Sequence, residues 1–257
     1  MDGQVGGPLP WEGEERFESI QADCGTPLLM GAYRATLPDP ILNEGYNIGL
    51  AADMLAGTVL QPGEVFSQNK KLAPYSREKG FREGPMYKGS QIVPSIGGGV
   101  CKIASLLYNV TVLSNLKVVE RHPHSMTVPY VPPGQDATVA TGARDYRFKN
   151  TSSGPVLIWA RKVGHTLYMA FYGRDKPPRV TWEHETLKTI PYTTKVSFNP
   201  RLAAGEERVV IDGSDGLVVR SWLVITGEDG TVTRRDLGKD YYNPCPRVIE
   251  RGAKRER

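Results

Sequence analysis

Three consecutive glycines, Gly97 to Gly99, stand directly before a stretch whose apolar residues follow helical spacing. From Lys102 these residues recur at i, i+3, i+4 and i+7 as far as Leu116, which predicts an α-helix with one buried face. Glycine adopts backbone conformations that are closed to other residues, so the triplet predicts a sharp turn into the helix. Cys101 therefore lies at or next to the helix N-terminus.

The segments after this helix carry the alternation and turn residues that are typical of β-strands. A strand over 118–130, a turn over 132–134 and a return strand over 136–141 predict a hairpin. Further strands are predicted over 156–162 and 167–172. A second helix is predicted earlier in the chain, from Gly45 to Ala56. The fold class that follows is α+β, with a helix packed on an antiparallel β meander.

Composition divides the chain into three parts. Residues 1–40 contain prolines that interrupt any periodic pattern, which predicts an irregular leader. Residues 41–175 form the predicted α+β domain. A charged, proline-rich stretch follows and is typical of a linker, so we expect few contacts across it. Residues 183–253 carry short β-rich runs separated by glycines, which predicts a small all-β module.

The overall charge and the cysteine usage exclude several classes of function. The net charge is only +4, and basic residues cluster at 247–257 without aromatic residues between them, so nucleic acid is not an expected partner. No run approaches the ~18 apolar residues of a membrane span, and the first residues lack a signal-peptide pattern. Three widely spaced cysteines predict free thiols, with neither a disulfide framework nor paired zinc ligands. We expect no metal and no cofactor.

Cys101 is the candidate nucleophile of the chain. Unpaired N–H groups and the dipole at a helix N-terminus favour the thiolate, which lowers the pKa of a cysteine. The loop formed by Gly97, Gly98, Gly99 and Lys102 would leave room for a substrate carbonyl beside those N–H groups. The alternative is a small buried residue on a helix that requires a glycine turn.

Two histidines follow on the next predicted element. Cysteine before histidine is the chain order of papain-like and transglutaminase-like thiol enzymes, so His124 is the candidate base. If the hairpin turn centres on Pro133 and Gly134, the antiparallel register places His124 near Asp145. Asp145 is therefore the first choice of carboxylate to orient the imidazole, and Asp136, beside the turn, is the second.

His122 and His124 also permit other interpretations. Residues two apart on a strand share a face, so both could join Cys101 in a metal site. A polar strand entry without any ligand is a further alternative. Glu120 and Arg121 are interpreted as an ordinary exposed pair.

Several short motifs between Asn47 and Gly173 resemble the VanW family, which is known from glycopeptide-resistance clusters and from many envelope proteins. The stretch covers about half of the chain, in one order, and Lys102 stands where the family usually has glutamine. The matching pieces are Asn47 ahead of Ala51 and Ala52, Pro62-Gly63-Glu64 with Phe66-Ser67, Gly97 to Cys101, Leu107-Tyr108-Asn109, Glu120-Arg121, His124-Ser125, Gly134 with Asp136 to Val139, and Asp145 to Asn150.

The second part resembles the G-five module, a glycine-marked extracellular β domain. The residues that carry this resemblance are Thr189 to Tyr192, Gly205, Gly213 to Gly216, Gly230, and Tyr242 to Gly252. The two resemblances imply a cell-envelope or extracellular protein whose partner is peptidoglycan or its sugars. A cytoplasmic location is the alternative, because no signal peptide is seen.

Two functions fit these features. The first is a thiol-dependent amide hydrolase or acyl transferase acting on peptidoglycan peptides, in a papain- or transglutaminase-like arrangement. Cys101 would then attack, His124 would carry the proton, and Asp145 or Asp136 would hold the imidazole. The alternative is a non-catalytic wall-associated module, in which the same residues form a packed core. The sequence carries no signal for an oligomeric state.

Overall fold

The structure is a computed structural model that describes residues 3–37, 43–88 and 91–252. Within these ranges there are four helices: α1 (Glu15–Cys24), α2 (Glu44–Leu55), α3 (Gln68–Leu72) and α4 (Cys101–Leu113). The strands are β1 (Gly3–Gln4), β2 (Leu28–Thr36), β3 (Thr58–Leu60), β4 (Val65–Ser67), β5 (Glu83–Lys88), β6 (Gln91–Ile96), β7 (Lys117–Glu120), β8 (Arg147–Lys149), β9 (Val156–Val163), β10 (Thr166–Gly173), β11 (Arg179–Ile190), β12 (Thr194–Phe198), β13 (Glu207–Ile211), β14 (Gly216–Thr226), β15 (Val232–Tyr242) and β16 (Arg247–Arg251). The predicted mixture of helices and mostly antiparallel sheets is confirmed.

The main sheet of the first domain has five strands in the order β1-β2-β10-β9-β3. The predicted irregular leader is wrong, because β2 lies inside this sheet and α1 precedes it. Pro27 lies just before β2 and not within it, so it bounds the strand without breaking it. Trp11 and Phe17 pack on the sheet against Trp159. Pro38 and Pro40 lie outside the described residues.

Helix α4 supports the rest of the first domain. It packs on β2 and β10, while α2 packs on β9, so both predicted helices are confirmed. Nearly every residue of α4 is buried, including Ile103, Leu107 and Val110. Most polar groups on a helix buried on all sides must be hydrogen-bonded, as the Ser105 Oγ and the Asn109 Nδ2 are here.

The predicted hairpin over 118–141 is not formed. Only β7 is a strand, and it pairs with β8 instead of with a return strand before residue 142. The chain between β7 and β8 is irregular, although the Thr138 N–H donates to the His122 carbonyl at 2.8 Å. Prolines lack the N–H that a β ladder requires, and four of them interrupt this segment: Pro123, Pro129, Pro132 and Pro133. The papain- or transglutaminase-like arrangement is not confirmed, because His124 lies on no described strand.

Residues 179–251, called the second module below, are all-β as predicted. One sheet has the order β11-β14-β15, and the other has the order β12-β16-β13 with β12 and β16 parallel. The expectation of few contacts across the boundary is wrong. Val180, Leu223 and Ile225 belong to the same buried core as the first domain, and the Trp182 ring stands edge-on to Tyr108 at 5.1 Å. The linker composition marks an exposed crossing of the chain, but it does not describe how the flanking strands pack.

Each glycine of the triplet before α4 is required, for one of two reasons. Gly97 and Gly99 have φ of +79° and +103°, values that L side chains rarely adopt. Gly98 lies so close to β5 that a Cβ there would stand 2.6 Å from the Pro85 carbonyl oxygen. Asn47, fully buried on α2, donates from Nδ2 to the Gly98 carbonyl at 2.9 Å. The turn is therefore fixed from two sides.

We predict that Gly98→Ala destabilises the protein by about 1–3 kcal/mol, because its methyl group must push the backbone of β5 away from the turn. Gly7→Ala is the matched control, since a Cβ at Gly7 meets nothing within 4 Å. Denaturant unfolding of both variants measures the difference. Equal midpoints for the two variants would contradict the close approach of β5 to the turn.

Candidate active site

The N-terminus of α4 opens onto a cleft of about 390 Å³, called the Cys101 cleft below. Its floor is the glycine turn, and Tyr75, Met86 and Tyr130 form apolar parts of its walls. Cys101 and His124 both line it, and Cys101 is partly exposed. The thiol thus faces a cavity large enough for part of a ligand.

The Cys101 thiol lies among polar groups. Its sulfur lies 3.3 Å from the Thr138 Oγ1, and its S–H can donate to the Val139 carbonyl oxygen at 3.6 Å. Burial opposes ionisation, but hydrogen bonding and charge from His124, together with the Thr138 hydroxyl, outweigh it and lower the pKa of Cys101 to about 7. Thiolate is therefore abundant near neutral pH.

His124 is the cationic partner of that thiolate. Its Nδ1 lies 2.7 Å from the Asp136 Oδ2, which leaves Nε2 for the sulfur. Burial disfavours the imidazolium, but Asp136 and the Cys101 thiolate outweigh this and raise the pKa of His124 to about 9. A thiolate–imidazolium pair is accordingly the dominant form between about pH 7 and 9, with the two groups titrating as a coupled pair.

Asp136 is the most enclosed member of the site, with 1% of its side chain exposed. Among the described residues its carboxylate accepts four hydrogen bonds: from His124 Nδ1 and N, at 2.7 and 2.6 Å, from the Tyr242 hydroxyl at 2.5 Å, and from Arg121 at 3.1 Å. Burial would raise its pKa, but these donors and the charges of His124 and Arg121 hold that pKa below its usual range. A buried carboxylate with this many donors remains ionised.

Helix α4 also positions the loop that carries Asp136. Ser105 and Asn109 follow Cys101 at i+4 and i+8, on the same face of the helix. The Ser105 Oγ accepts from the Ala137 N–H at 2.9 Å, and Asn109 Nδ2 donates to the Gln135 carbonyl at 2.8 Å. One helix face therefore holds both the thiol and the two residues that flank the carboxylate.

This geometry corrects the prediction that Asp145 is the first choice of carboxylate to orient the imidazole. The Asp145 Oδ2 accepts from the Ser67 hydroxyl at 2.5 Å, and its Oδ1 accepts from the Asn69 N–H at 2.9 Å. It therefore ties the start of α3 to β8, while the second choice, Asp136, contacts the imidazole. The cause of the error is the hairpin register, because the chain folds irregularly where the register assumed a ladder.

The remaining predicted residues occupy separate positions. Lys102 forms a buried ion pair with Glu44, and its Nζ lies 5.0 Å from the Tyr130 ring centre. Its N–H donates to the Gly99 carbonyl at 3.0 Å, so that amide is not available to a ligand. His122 pairs with Glu120 at 3.0 Å, away from the partner of His124. Within the described residues no three His, Cys, Asp or Glu side chains form a group that could hold a metal ion.

Three residues that contribute to the site are not indicated by the sequence patterns described above. Thr138 contacts the thiol, Arg121 is buried against Asp136 and not an ordinary exposed pair with Glu120, and Tyr242 comes from the second module. The i+4 and i+8 polar positions after Cys101 were a readable signal for the loop, since polar residues on an apolar helix require partners. No local pattern indicates Tyr242, which lies more than a hundred residues from Asp136.

Comparison with known proteins identifies the family of this chain. A family model described as "VanW like protein" matches residues 43–172. The chain belongs to the VanW family. A model of the G5 domain matches residues 181–254, so the two domains occur in the order that the resemblance predicted. Cys101, His124 and Asp136 all lie within the VanW-like stretch.

Two curated relatives match the VanW-like part. The chain is 34% identical over 146 residues to the uncharacterized protein YoaR of Bacillus subtilis, covering 57% of this chain and 48% of that protein. It is 27% identical over 146 residues to the vancomycin B-type resistance protein VanW of Enterococcus faecalis, covering 55% and 53%. The chain thus spans about half the length of these relatives.

A solved structure of an IgA1 protease G5 domain is 27% identical in sequence to this chain. The match covers 32% of this chain and 100% of that domain, with a TM-score of 0.21.

None of the helices in the described ranges combines the length and apolar character that a bilayer span requires. All three cysteines, Cys24, Cys101 and Cys245, lie in the described part of the chain and are unpaired, as predicted.

We predict that His124→Gln raises the pKa of Cys101 above the ~8.5 of a free cysteine, because burial then acts without the imidazolium. Alkylation by iodoacetamide at pH 7, with the site assigned by mass spectrometry, should slow at least roughly tenfold. Asp136→Asn should shift the profile in the same direction, and Asp145→Asn, the matched control, should not shift it. A larger shift for Asp145→Asn than for Asp136→Asn would contradict the assignment of the carboxylate.

Proposed function

We propose that this protein is a cell-wall-associated thiol enzyme that cleaves or transfers an acyl group at amide bonds of peptidoglycan peptides. The observation that carries the proposal is that Cys101 and His124 line the Cys101 cleft, while the buried Asp136 accepts a hydrogen bond from His124 behind it. A nucleophile, a base that reaches it and a group that orients the base are the three parts that acyl transfer requires.

In the first half of the proposed reaction, the Cys101 thiolate attacks the substrate carbonyl carbon and a C–S bond forms. The negative charge that develops on the carbonyl oxygen needs donors in place beforehand. Among the described residues of the glycine turn, the N–H groups of Gly99 and Cys101 take no part in its hydrogen bonds, and both residues line the Cys101 cleft. The His124 imidazolium then gives its proton to the amine as the C–N bond breaks.

In the second half, the neutral imidazole removes a proton from water, or from an amine acceptor, as that nucleophile attacks the thioester. The C–S bond breaks and the thiolate returns, paired again with the imidazolium. Asp136 stays ionised throughout and keeps Nδ1 protonated, so that Nε2 alone exchanges protons. Water gives hydrolysis, and an amine gives acyl transfer.

The cleft walls favour a peptide substrate. Tyr75, Met86 and Tyr130 provide apolar surface, while Arg144, an exposed side chain, brings a guanidinium to the rim. Guanidinium groups pair well with carboxylates, and a peptide bearing a carboxylate near the scissile amide fits that combination. We propose that Arg144 orients such a substrate.

The family context supports a location in the cell envelope or outside the cell. One curated relative is named a vancomycin B-type resistance protein, and a G5 domain follows the VanW-like domain. Peptidoglycan or its sugars are accordingly the proposed partners. The proposed enzyme needs neither a metal nor an organic cofactor for the steps above.

Incubation of the full chain with peptidoglycan stem peptides should yield a thioester on Cys101, detected by mass spectrometry, and release of the amine product. Cys101→Ala should lower turnover by about 10³-fold or more, because no other described cysteine lines the Cys101 cleft. Cys245→Ala is the matched control and should keep wild-type turnover. Failure to form a thioester with any such peptide, combined with Cys101 labelling no faster than Cys24 or Cys245, would support the non-catalytic wall module instead.

Turnover should follow a bell-shaped dependence on pH, since it requires thiolate and imidazolium together. Activity should rise as the pH passes the Cys101 pKa of about 7, because the thiolate forms there. It should fall as the pH passes the His124 pKa of about 9, because the proton needed by the leaving amine is lost. A profile that keeps rising above pH 10 would show that the imidazolium is not required.

A further inference from the structure

The buried end of strand β15, in the second module, lies against the loop that carries Asp136. The Tyr242 hydroxyl donates to the Asp136 Oδ1 at 2.5 Å and accepts from the Gly134 N–H at 2.7 Å. Tyr242 is 1% exposed, whereas its neighbour Tyr241 is 66% exposed. One buried hydroxyl therefore links the second module to the carboxylate of the site.

Asp240, two residues earlier on β15, reaches the same place through Arg121. The Arg121 guanidinium donates to the Asp136 Oδ1 at 3.1 Å and to the Asp240 Oδ1 at 2.5 Å. Its Nε also donates to the Asp136 carbonyl at 2.7 Å. All three charged side chains are largely buried, with exposed fractions of 12%, 1% and 15% for Arg121, Asp136 and Asp240. With the His124 imidazolium counted, the two cations of this cluster match the two carboxylates, and removing either carboxylate leaves an excess of positive charge.

Further contacts hold the residues on either side of the site. Gln135 Nε2 lies 2.8 Å from the His184 Nε2, and the other ring nitrogen of His184 lies 2.9 Å from the Ser221 Oγ. The Asn243 N–H donates to the Ser125 carbonyl at 2.7 Å, directly after His124. The second module thus contacts both the loop of Asp136 and the residue next to the imidazole.

We infer that the second module is a working part of the Cys101 site, with Asp240 and Tyr242 as positioning residues for Asp136 and, through it, for His124. A module that served only to attach the protein to the wall would need none of these buried polar contacts. The inference deepens the proposed function and rests on it for the use of the site, although the contacts themselves can be tested without a substrate.

The charges around His124 set the direction of the expected effect. His124 contacts Cys101 on α4, and it contacts Asp136 and the ring of Tyr130 on its own irregular segment. Arg121 and Asp240 lie behind Asp136. Removing the charge of Asp240 leaves the Arg121 cation paired with Asp136 alone. The potential at His124 then becomes more positive, which disfavours the imidazolium and lowers the pKa of His124.

The first test is Asp240→Asn in the full chain, with His124 titrated by NMR of its imidazole resonances. The pKa of His124 should fall by roughly half a unit or more, as expected for one charge removed across a buried guanidinium. Asp236→Asn is the matched control, because Asp236 lies on the same strand and pairs with Arg220 in an exposed position. Equal His124 titrations in both variants and the wild type would overturn the inference.

The second test is Tyr242→Phe against Tyr241→Phe, both in the full chain. The readout is the downfield proton resonance of the His124 Nδ1–H that is bonded to Asp136. Tyr242→Phe removes a donor from that carboxylate and should move or abolish the resonance, while Tyr241→Phe should leave it in place. A lowered melting temperature with an unchanged resonance would mean that Tyr242 is structural only. This variant also decides the question if Asp240→Asn does not fold.

These readouts separate the inference from the proposed function. A shifted His124 titration in Asp240→Asn without thioester formation in the wild type would refute the enzyme and keep the positioning role. Thioester formation in the wild type, with an unchanged His124 titration in Asp240→Asn and an unchanged Nδ1–H resonance in Tyr242→Phe, would support the enzyme and refute the positioning role.

Discussion

The buried carboxylate of Asp136 is the constraint around which the site is built. A carboxylate that loses water must gain donors, and four hydrogen bonds meet it among the described residues. Each donor comes from a part of the chain that is otherwise remote or irregular. The need to satisfy this one group therefore determines where His124, Arg121 and Tyr242 stand.

Helix α4 provides the rigid frame for that arrangement. Its first residue is Cys101, and its polar positions at Ser105 and Asn109 bind the backbone on both sides of Asp136. Since the helix is buried between the sheet and this loop, the distance between thiol and carboxylate is set by helix geometry and not by a flexible loop. The glycine turn then exposes the thiol end of the same helix to the cleft.

The boundary between the two modules has a different character from the one that composition indicates. Apolar residues of β11 and β14 continue the core of the first domain, and β15 supplies charged and hydroxyl groups beside Asp136. Such a boundary combines hydrophobic burial with polar contacts that have directional requirements. Movement of one module against the other would disturb the carboxylate as well as the packing.

The sequence by itself determined helices α2 and α4, the glycine turn, the position of Cys101 at the start of α4 and the all-β second module. These features depend on residues close together in the chain. It also indicated His124 and, as the second choice, Asp136. Only the tertiary structure decided between Asp136 and Asp145, made β2 an inner strand, and brought Arg121, Thr138 and Tyr242 to the site. Hydrogen bonds across an irregular, proline-rich segment and between separate modules leave no periodic trace in the sequence, since their partners are fixed by how the whole chain packs.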